Sequence, residues 1–376
     1  MNRTRIAIIG AGLSGLYGAY LLEQRGLRDY VVLEARAAPG GRIASASRTA
    51  RPETAVASAA DIDRFDLGPT WFWPDLQPQL DQLIRDLGLR RFAQHETGDL
   101  LVERTSGGSP LRMRNYANVP PSMRLIGGMQ SLIDALGRRV DVSRILTSRT
   151  VRTVRQADTQ IEIESQDSGG RSHTITAECV LLALPPRLAI RRLVFAPALP
   201  EALRREWHDT PTWMAPHAKY IALYDTAFWR EQGLSGDARS MRGPLGEIHD
   251  ASMPGGSAAL FGFFALPAHL RRTASPEILR SACREQMARL FGPLAAAPTG
   301  DFIKDWARDP LTATDADQHD PGEHTAAPSA TAASGPWQGR LWGISSECSP
   351  QFPGYLAGAI EASYNAITAL ATRDPR

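Results

Sequence analysis

The 376-residue sequence contains only three cysteines, at positions 179, 283 and 348. Because they are odd in number and far apart, they suggest neither a disulfide framework nor a cluster of metal ligands. The eight histidines form no pair with the spacing of a zinc site. We therefore expect no bound metal and no disulfide-stabilised small fold, and the cysteine usage favours a reducing compartment.

Long hydrophobic runs are also missing. The longest candidate, residues 258–268, is short and contains glycine and proline, whereas a membrane-spanning helix needs about 18 apolar residues in a row. The first apolar strand begins near residue 5, which leaves no room for a signal peptide before it. From these features we expect a soluble, cytoplasmic protein without a membrane partner.

The charge has no excess of one sign, since 42 basic and 40 acidic residues give a net charge of +2. No attraction to nucleic acid follows from this balance. Nearly all the basic residues are arginine, and Lys219 and Lys304 are the two lysines of the chain. A GC-rich genome explains this bias, but it gives each lysine individual interest. The length fits two domains.

The most informative segment runs from residue 6 to residue 42. Residues 6–9 read IAII, residues 10–15 read GAGLSG, an apolar helix follows, and residues 30–34 read YVVLE. The order is strand, glycine turn, helix and a second strand that ends in an acid. This order is typical of the nucleotide-binding half of an α/β domain.

Each part of this segment has a chemical reason. Gly10 permits a tight turn, Gly12 lets the backbone approach a pyrophosphate, and Gly15 lets the helix pack on the strand. The helix N-terminus offers N–H groups to phosphates, and the Glu34 carboxylate can accept hydrogen bonds from ribose hydroxyls. The segment therefore predicts a dinucleotide-binding site.

The rest of the chain predicts both strands and helices. Residues 180–184 are apolar throughout, which is typical of a buried parallel strand, and residues 216–229 also have a strand-like pattern. Ser275 and Pro276 predict the N-terminus of a helix. Residues 44–62, rich in alanine, serine and threonine, indicate an excursion on the surface.

Further motifs carry a family resemblance. Residues 40–42 read GGR, residues 66–71 read DLGPTW, residues 125–129 read LIGGM, and residues 354–360 read GYLAGAI. Together with the dinucleotide segment they resemble the flavin-dependent amine oxidases, the superfamily of monoamine oxidases, polyamine oxidases and histone demethylases. The resemblance extends almost from end to end, with gaps in the middle of the chain.

The resemblance implies an α/β fold, with a Rossmann-like FAD-binding domain and a smaller α+β substrate domain. It also implies FAD as the cofactor, and no cysteine stands where the family attaches a flavin covalently. NAD is the alternative dinucleotide, but the GGR motif and the C-terminal helix favour FAD. The predicted cofactor domain comprises residues 1–75, 126–188 and 335–376, and the predicted substrate domain comprises residues 76–125 and 189–334.

The resemblance also implies which residues contact the cofactor. Arg42 would contact phosphates or pack beside the flavin, Glu347 would hold a ribityl or ribose hydroxyl, and Val151 would meet the adenine. The helix that starts after Tyr355 would face the flavin C2 carbonyl, which gains negative charge on reduction. The full set is Gly10, Gly12, Ser14, Gly15, Glu34, Arg36, Gly41, Arg42, Gly68, Pro69, Thr70, Trp71, Val151, Trp306, Ser346, Glu347, Tyr355 and Leu356.

Three residues are assigned to catalysis by the same resemblance. Lys219 matches a lysine that holds a water at the flavin N5; the alternative is a lysine at a strand edge whose amine reaches solvent. Tyr355 matches one wall of an aromatic cage for the amine, held partly by cation–π attraction; the alternative is a tyrosine of the core. Trp71 stands where related amino-acid oxidases use an arginine to bind a carboxylate, which disfavours an α-amino acid substrate.

The sequence departs from the family pattern at three places. Residues 343–347 read GISSE where the family has Phe-Ala-Gly-x-Glu, so a serine replaces a glycine. The second aromatic of the cage is missing, since its position falls near Ala316. The stretch between Trp71 and Ile126 is short, although many relatives use it to roof the substrate cavity. We expect either an open cavity or one closed by a partner chain, for example in a homodimer.

Amine oxidation is the first functional hypothesis. A hydride passes to the flavin N5 from the carbon next to a neutral amine, the imine hydrolyses, and O2 reoxidises the flavin to give H2O2. A small-molecule amine and O2 are therefore the expected partners. A flavin-dependent C–C desaturase is the second hypothesis, which the missing cage wall favours. The third is a structural module that keeps FAD without catalysis, which the shortened roof favours.

Overall fold

The computed structural model describes residues 3–47, 62–105, 107–319 and 325–373. The chain forms two compact units, each built from separate stretches of sequence. The division into a cofactor domain and a substrate domain, which was drawn by function, stays a prediction. The first unit comprises Met1–Ile43, Leu132–Ala215 and Pro310–Arg376, and the second comprises Ala44–Ser131 and Pro216–Asp309.

Strands and helices make up similar shares of the regular structure of the described residues. The α-helices are shorter in total and are numbered separately in chain order. The strands are β1 Arg3–Ile9, β2 Tyr30–Leu33, β3 Ser45–Ser47, β4 Arg64–Asp66, β5 Arg91–Ala93, β6 Asp99–Glu103, β7 Leu111–Arg114, β8 Met123–Leu125, β9 Ile145–Leu146, β10 Thr150–Ala157, β11 Gln160–Gln166, β12 Ser172–Leu182, β13 Val194–Ala196, β14 Ala218–Tyr224, β15 Leu234–Ser240, β16 Leu245–Asp250, β17 Ala258–Phe264, β18 Gly300–Asp305 and β19 Leu341–Gly343. The helices are α1 Leu13–Gln24, α2 Pro78–Asp86, α3 Gln130–Gly137, α4 Pro186–Arg192, α5 Glu201–Asp209, α6 Phe228–Glu231, α7 Ala268–Arg271, α8 Pro276–Phe291 and α9 Leu356–Arg373.

An eight-stranded sheet is the centre of the first unit. Its order is β13-β10-β11-β12-β1-β2-β9, and β19 also pairs with β12. The pairs β1–β2, β1–β12, β2–β9 and β12–β19 are parallel. The predicted apolar run from residue 180 lies at the end of β12, where Val180, Leu181 and Leu182 are buried between β1 and β19. This confirms the predicted α/β fold with a Rossmann-like unit.

Helix α1 lies unusually close to the turn that precedes it. Gly10 has φ +104°, a conformation that favours glycine. A Cβ atom on Gly15 would stand 1.9 Å from the carbonyl oxygen of Gly10, so the contact leaves no room for any side chain. The hydroxyl of Ser363 on α9 donates to the carbonyl of Ser14 at 2.9 Å, so α9 packs against α1.

A seven-stranded sheet is the centre of the second unit, in the order β18-β14-β17-β16-β15-β6-β7. Every residue of β14 is buried, because apolar clusters cover both faces of the sheet. Tyr220 and Tyr224 point to the face that α8 covers, and Ile221 and Leu223 point to the other face. The predicted strand over 216–229 is too long, since β14 ends at Tyr224 and the Phe-Trp pair begins α6.

Two other predictions have mixed outcomes. Ser275 is the N-cap of α8 as predicted, since its hydroxyl accepts from the N–H of Ile278 at 3.3 Å. The predicted surface excursion over 44–62 is wrong at its start, where β3 pairs with β4 and buries Ala46 and Ser47; residues 48–61 lie outside the described part.

No helix of the described residues has both the length and the apolar character that a membrane span requires.

Replacing Gly15 by alanine is expected to lower the free energy of unfolding by roughly 1–3 kcal/mol or more, because the methyl group overlaps the Gly10 carbonyl. Gly18→Ala in the same helix is the matched control. Its Cβ would meet the nearest atom, on Ile344, at 3.6 Å, an ordinary contact, and alanine favours the helix. In thermal denaturation, Gly15→Ala should melt at a lower temperature than Gly18→Ala. Equal melting temperatures of the two variants would contradict the proposed overlap.

Candidate functional site

The glycine turn of the first unit has the features of a phosphate site. Gly12 is the N-cap of α1, and as a glycine it has no side chain that could accept hydrogen bonds from the first N–H groups of the helix. Gly12 has φ −71°, and a Cβ atom there would meet no atom closer than 3.8 Å. Neither the backbone nor the packing of the protein therefore requires glycine at this position. The space beside an uncapped helix N-terminus suits the phosphates of a dinucleotide.

The carboxylate of Glu34 lies beside this turn, at the carboxyl end of β2. One oxygen accepts from the N–H of Ala11 and the other from the N–H of Arg36, both at 2.7 Å. Two backbone donors fix the buried carboxylate and leave further lone pairs for hydroxyl donors. This donor set fits the ribose of a dinucleotide. The Arg36 guanidinium donates to the hydroxyl of Thr312 at 3.3 Å.

An ion pair joins two of the predicted cofactor motifs within the first unit. The Arg42 guanidinium donates to both carboxylate oxygens of Glu347, at 2.5 and 3.0 Å, and to the Ser346 hydroxyl at 3.2 Å. Burial opposes ionisation of Glu347, but the guanidinium holds the pKa of that carboxyl below its usual value. The pair therefore fixes the GGR loop, in which Gly41 also lies against Gly12, to the segment before α9. Sequence reasoning assigned both residues but not their contact.

Tyr355 directly precedes α9, whose first residue is Leu356. The ring of Trp213 lies near it, with the two ring centroids 6.3 Å apart and the planes inclined by 32°. Gly354 has φ +83°, and a Cβ there would overlap Trp213. Trp213 was missed by sequence reasoning, because no motif marks it. Ala316, where the second cage aromatic was sought, begins a short 3-10 helix.

The amino group of Lys219 is buried in the second unit. It donates to the carbonyl oxygens of Asp66 and Gly68, at 2.9 and 2.7 Å, and contacts the Thr70 hydroxyl at 2.7 Å. The residue is 2% exposed, so the alternative of a strand-edge lysine that reaches solvent is wrong. Lys219 lies on the same face of β14 as Ile221, which packs in an apolar cluster.

The protonation of Lys219 is finely balanced. Burial lowers the pKa of its amine to about 7, opposed by the carboxylate of Asp66. Three oxygen partners satisfy an ammonium, and the rings of Phe261 and Phe263 lie 4.5 and 5.2 Å from the nitrogen. A neutral amine is satisfied as well, since it can donate to two carbonyls and accept from the Thr70 hydroxyl. The residue can therefore hold either state near neutral pH.

Two tryptophans of the predicted site lie in the same unit. The Trp306 indole donates to the carbonyl oxygen of Leu67 at 3.1 Å, and the Lys304 amine lies 4.3 Å from its ring centroid. Trp71 packs with His249 and Phe261, at centroid distances of 4.9 and 5.4 Å. These contacts join the DLGPTW segment to Trp306 and to the rings of His249 and Phe261. Val151 lies elsewhere, buried in β10 of the first unit.

Trp71 also lines a cavity of about 380 Å³ within the second unit. Aromatic and aliphatic side chains share its walls with three carboxylates, Glu96, Asp237 and Glu247. Sequence reasoning missed all three, because they come from separate segments without a motif. Among the described residues no group of three or more histidines, cysteines and acids could hold a metal ion.

Comparison with protein families decides the classification. The family described as flavin containing amine oxidoreductase matches residues 96–370, and the NAD(P)-binding Rossmann-like domain matches residues 8–87. The chain belongs to the flavin-containing amine oxidoreductases. The family resemblance predicted from the motifs is thereby confirmed, and the family implies a flavin cofactor.

Curated relatives support the same family. The chain is 28% identical over 250 residues to the probable flavin-containing monoamine oxidase A of Dictyostelium discoideum, covering 64% of this chain and 51% of that protein. It is 30% identical over 283 residues to the putative flavin-containing monoamine oxidase AofH of Mycobacterium tuberculosis, covering 71% and 56%. The chain thus spans about half the length of the curated relatives that it matches.

Solved structures show the same fold. A variant of putrescine oxidase superimposes with a TM-score of 0.78 at 19% identity, covering 99% of this chain and 100% of that chain. Cyclohexylamine oxidase from Brevibacterium oxydans superimposes with a TM-score of 0.79 at 19% identity, with the same coverage. At this identity the likeness concerns the fold.

The lowered pKa of Lys219 predicts a pH-dependent stability. Between its folded pKa of about 7 and its usual value of 10.5, the unfolded chain binds a proton that the folded chain does not. The folded state therefore gains stability from this group as the pH rises from about 7 to 10.5. Below this window the amine is protonated in both states, and the folded state is destabilised by a buried charge. We expect the melting temperature of the wild type, relative to Lys219→Met, to rise from pH 7 to pH 10.

Ile221→Met is the control for this comparison, since Ile221 is buried on the same face of the same strand and carries no charge. Its melting temperature should keep a constant offset from the wild type over the same pH range. Differential scanning calorimetry of the three proteins gives both offsets. A Lys219→Met offset that does not change with pH would show that the amine keeps its proton throughout.

Proposed function

We propose that the chain is an FAD-dependent oxidoreductase that oxidises the C–N bond of an amine to an imine. The observation that carries the proposal is the buried amine of Lys219, held by the Gly68 carbonyl and the Thr70 hydroxyl within the DLGPTW motif. A buried amine with a pKa near neutrality is typical of functional sites. Family membership supports the same reaction class.

The first unit supplies the residues that would hold FAD. The helix terminus at Gly12 would receive the pyrophosphate, the Glu34 carboxylate would accept from ribose hydroxyls, and Glu347 would bind a ribityl or ribose hydroxyl while Arg42 keeps it ionised. Bound flavin supplies the hydride acceptor at N5 and passes electrons to O2, giving H2O2. The protein contributes binding, orientation and electrostatics.

The residues assigned to catalysis would act on water, oxygen and amine. Lys219 would hold a water at the flavin N5 by exchanging its contact with the Thr70 hydroxyl for that water. As an ammonium, it would stabilise negative charge there. Tyr355, with Trp213 beside it, would offer aromatic faces to the amine. The indole of Trp71 carries no positive charge, and its N–H is already bound to the Gln94 amide oxygen at 2.9 Å. Trp71 therefore offers neither a charge nor a free donor to a substrate carboxylate. This supports a simple amine rather than an α-amino acid.

We expect FAD to be released intact when the protein is denatured. All three cysteines are buried. Burial raises the pKa of the Cys348 thiol to about 12 and also raises the pKa of the Cys283 thiol, so neither of these two is present as the thiolate that would attack a flavin. After acid precipitation the yellow colour should remain in the supernatant, and chromatography should identify FAD. Colour retained in the precipitate, or FMN in the supernatant, would contradict this expectation.

The reaction itself is tested by anaerobic addition of amines to the purified yellow protein. We expect at least one class of amine to bleach the flavin absorbance and air to restore it with formation of H2O2. Lys219→Met should keep its FAD but slow reduction or reoxidation about a hundredfold, the typical effect of losing one preorganised donor. Ile221→Met should react like the wild type.

Two outcomes would count against amine oxidation. If no amine over a broad panel bleaches the flavin, the chain is a desaturase or a structural FAD module. If amines bleach the flavin but Lys219→Met reacts at the wild-type rate, the reaction class stands and the role of Lys219 is wrong. Stopped-flow absorbance at the flavin maximum separates reduction from reoxidation.

A further inference from the structure

Three successive carbonyl groups of the DLGPTW motif are all bound by side chains from other parts of the second unit. The carbonyls of Asp66 and Gly68 accept from the Lys219 amine, at 2.9 and 2.7 Å. The carbonyl between them, of Leu67, accepts from the indole N–H of Trp306 at 3.1 Å. Lys219 therefore binds the two outer carbonyls and Trp306 binds the middle one, so the indole helps to fix the partners of the lysine.

The indole of Trp306 is held on its ring face as well as at its N–H. The amine of Lys304 lies 4.3 Å from the ring centroid, and the Asp309 carboxylate binds this amine at 2.6 Å. A cation over an aromatic face is attracted by the electrons of the ring, and tryptophan attracts it most strongly. The side chain of Asp309 is buried, so it holds the ammonium at a defined place on the indole.

Lys304 is one of the two lysines in a chain that otherwise uses arginine. An ammonium is a compact charge on a flexible stem, whereas a guanidinium is a wide planar group. The compact group suits a place between a carboxylate and a ring face. Lys219 and Lys304 are directly paired on β14 and β18, so both lie on one face of the sheet. The two lysines support the DLGPTW motif from neighbouring strands, one directly and one through an indole.

We propose that Lys304 is a positioning residue for the amine of Lys219, acting through Trp306 and the carbonyl of Leu67. The ammonium fixes the indole, and the indole N–H fixes the middle carbonyl of the three. The carbonyls on either side of it then stand where Lys219 binds them. This inference rests on the proposed function of Lys219, and it adds a residue that acts on the reaction only through that lysine.

The placement of these carbonyls has a measurable effect on the charge of Lys219. Hydrogen-bond acceptors favour the ammonium form of an amine, so well-placed carbonyls oppose the lowering of the pKa of Lys219 by burial. The carboxylate of Asp66 also favours the ammonium, and the guanidinium of Arg124 opposes it. The charge of Lys304 is compensated by Asp309, so this ion pair acts on Lys219 through geometry rather than through its net charge.

The test measures the pKa of Lys219 by NMR in the flavin-containing protein. Lysine labelled with an NMR-active isotope at Cε gives two side-chain signals, because the chain has two lysines, and Lys219→Met assigns them. Trp306→Phe removes the indole N–H but keeps an aromatic ring and every charge. Lys304→Met combined with Asp309→Asn removes the ion pair without leaving a buried carboxylate unpaired. Both changes should lower the pKa of Lys219 below its wild-type value, because its ammonium loses well-placed acceptors.

Arg289→Met combined with Glu103→Gln is the matched control. Arg289 and Glu103 also form an ion pair in the second unit, with side chains that are 33% and 1% exposed, close to the 28% and 4% of Lys304 and Asp309. The control variant should keep the wild-type pKa of Lys219. The positioning role is overturned if this pKa stays the same or rises in either test variant, or if it falls equally in the control.

Stopped-flow absorbance of the flavin tests the kinetic consequence. Lys304→Met with Asp309→Asn should slow the step that Lys219→Met slows, by up to about a hundredfold, the effect that a misplacement of about 1 Å can have. Added to Lys219→Met, the same changes should cause no further slowing. Additive slowing would show that the ion pair acts independently of Lys219 and would overturn the proposal. If no amine reduces the flavin, amine oxidation fails, and the two lysine signals still decide whether Lys304 positions Lys219.

Discussion

The amino group of Lys219 is enclosed by protein, and the surrounding chain has to supply all of its hydrogen-bond partners. Two of these partners are backbone carbonyls, of Asp66 and Gly68. A buried polar group without partners costs several kcal/mol, so the path of residues 66–70 is tied to the position of β14. The aromatic rings of Phe261 and Phe263 close the remaining side. Asp66 also holds a second segment, because its side chain accepts from the N–H of Met129 while its carbonyl binds Lys219.

Features fixed by local chemistry could be predicted from the sequence. The turn at Gly10 and the close contact at Gly15 follow from residues within a few positions of one another, and the cap at Ser275 needs only the next turn of its helix. Lys219 was identified through its motif. Its burial could also have been predicted from the sequence, because β14 has apolar or aromatic residues at each of its other positions and so buries both of its faces.

Contacts between distant parts of the sequence could not be predicted in the same way. Arg42 and Glu347 are separated by 305 positions, and each had been assigned to the cofactor without regard to the other. Trp213 and Tyr355 are also far apart in the sequence, and only the tertiary fold brings their rings together. No local propensity encodes such pairs, which depend on tertiary packing. The missing cage aromatic was therefore sought by counting positions, whereas the structure places a different aromatic next to the tyrosine.

The shortened stretch after Trp71 still contributes to a wall of the cavity. Helix α2 and strands β5 to β8 come from this stretch, and Trp73, Glu96 and Asn118 line the cavity from within it. The shortened stretch therefore still places polar side chains on this wall. The carboxylates of Asp237 and Glu247, on β15 and β16, are engaged by His249.

The scarcity of lysine has a practical consequence for following the opening of this protein. Lys219 and Lys304 face each other on neighbouring strands of the second unit, where one amine is buried and the other is bound to Asp309 at 2.6 Å. A lysine-specific endoprotease therefore has just these two target residues, and both lie within one sheet. Cleavage by such an enzyme reports opening of that sheet and does not detect loosening of the first unit. An arginine-specific protease has target residues in both units. Comparison of the two enzymes therefore distinguishes local from global opening.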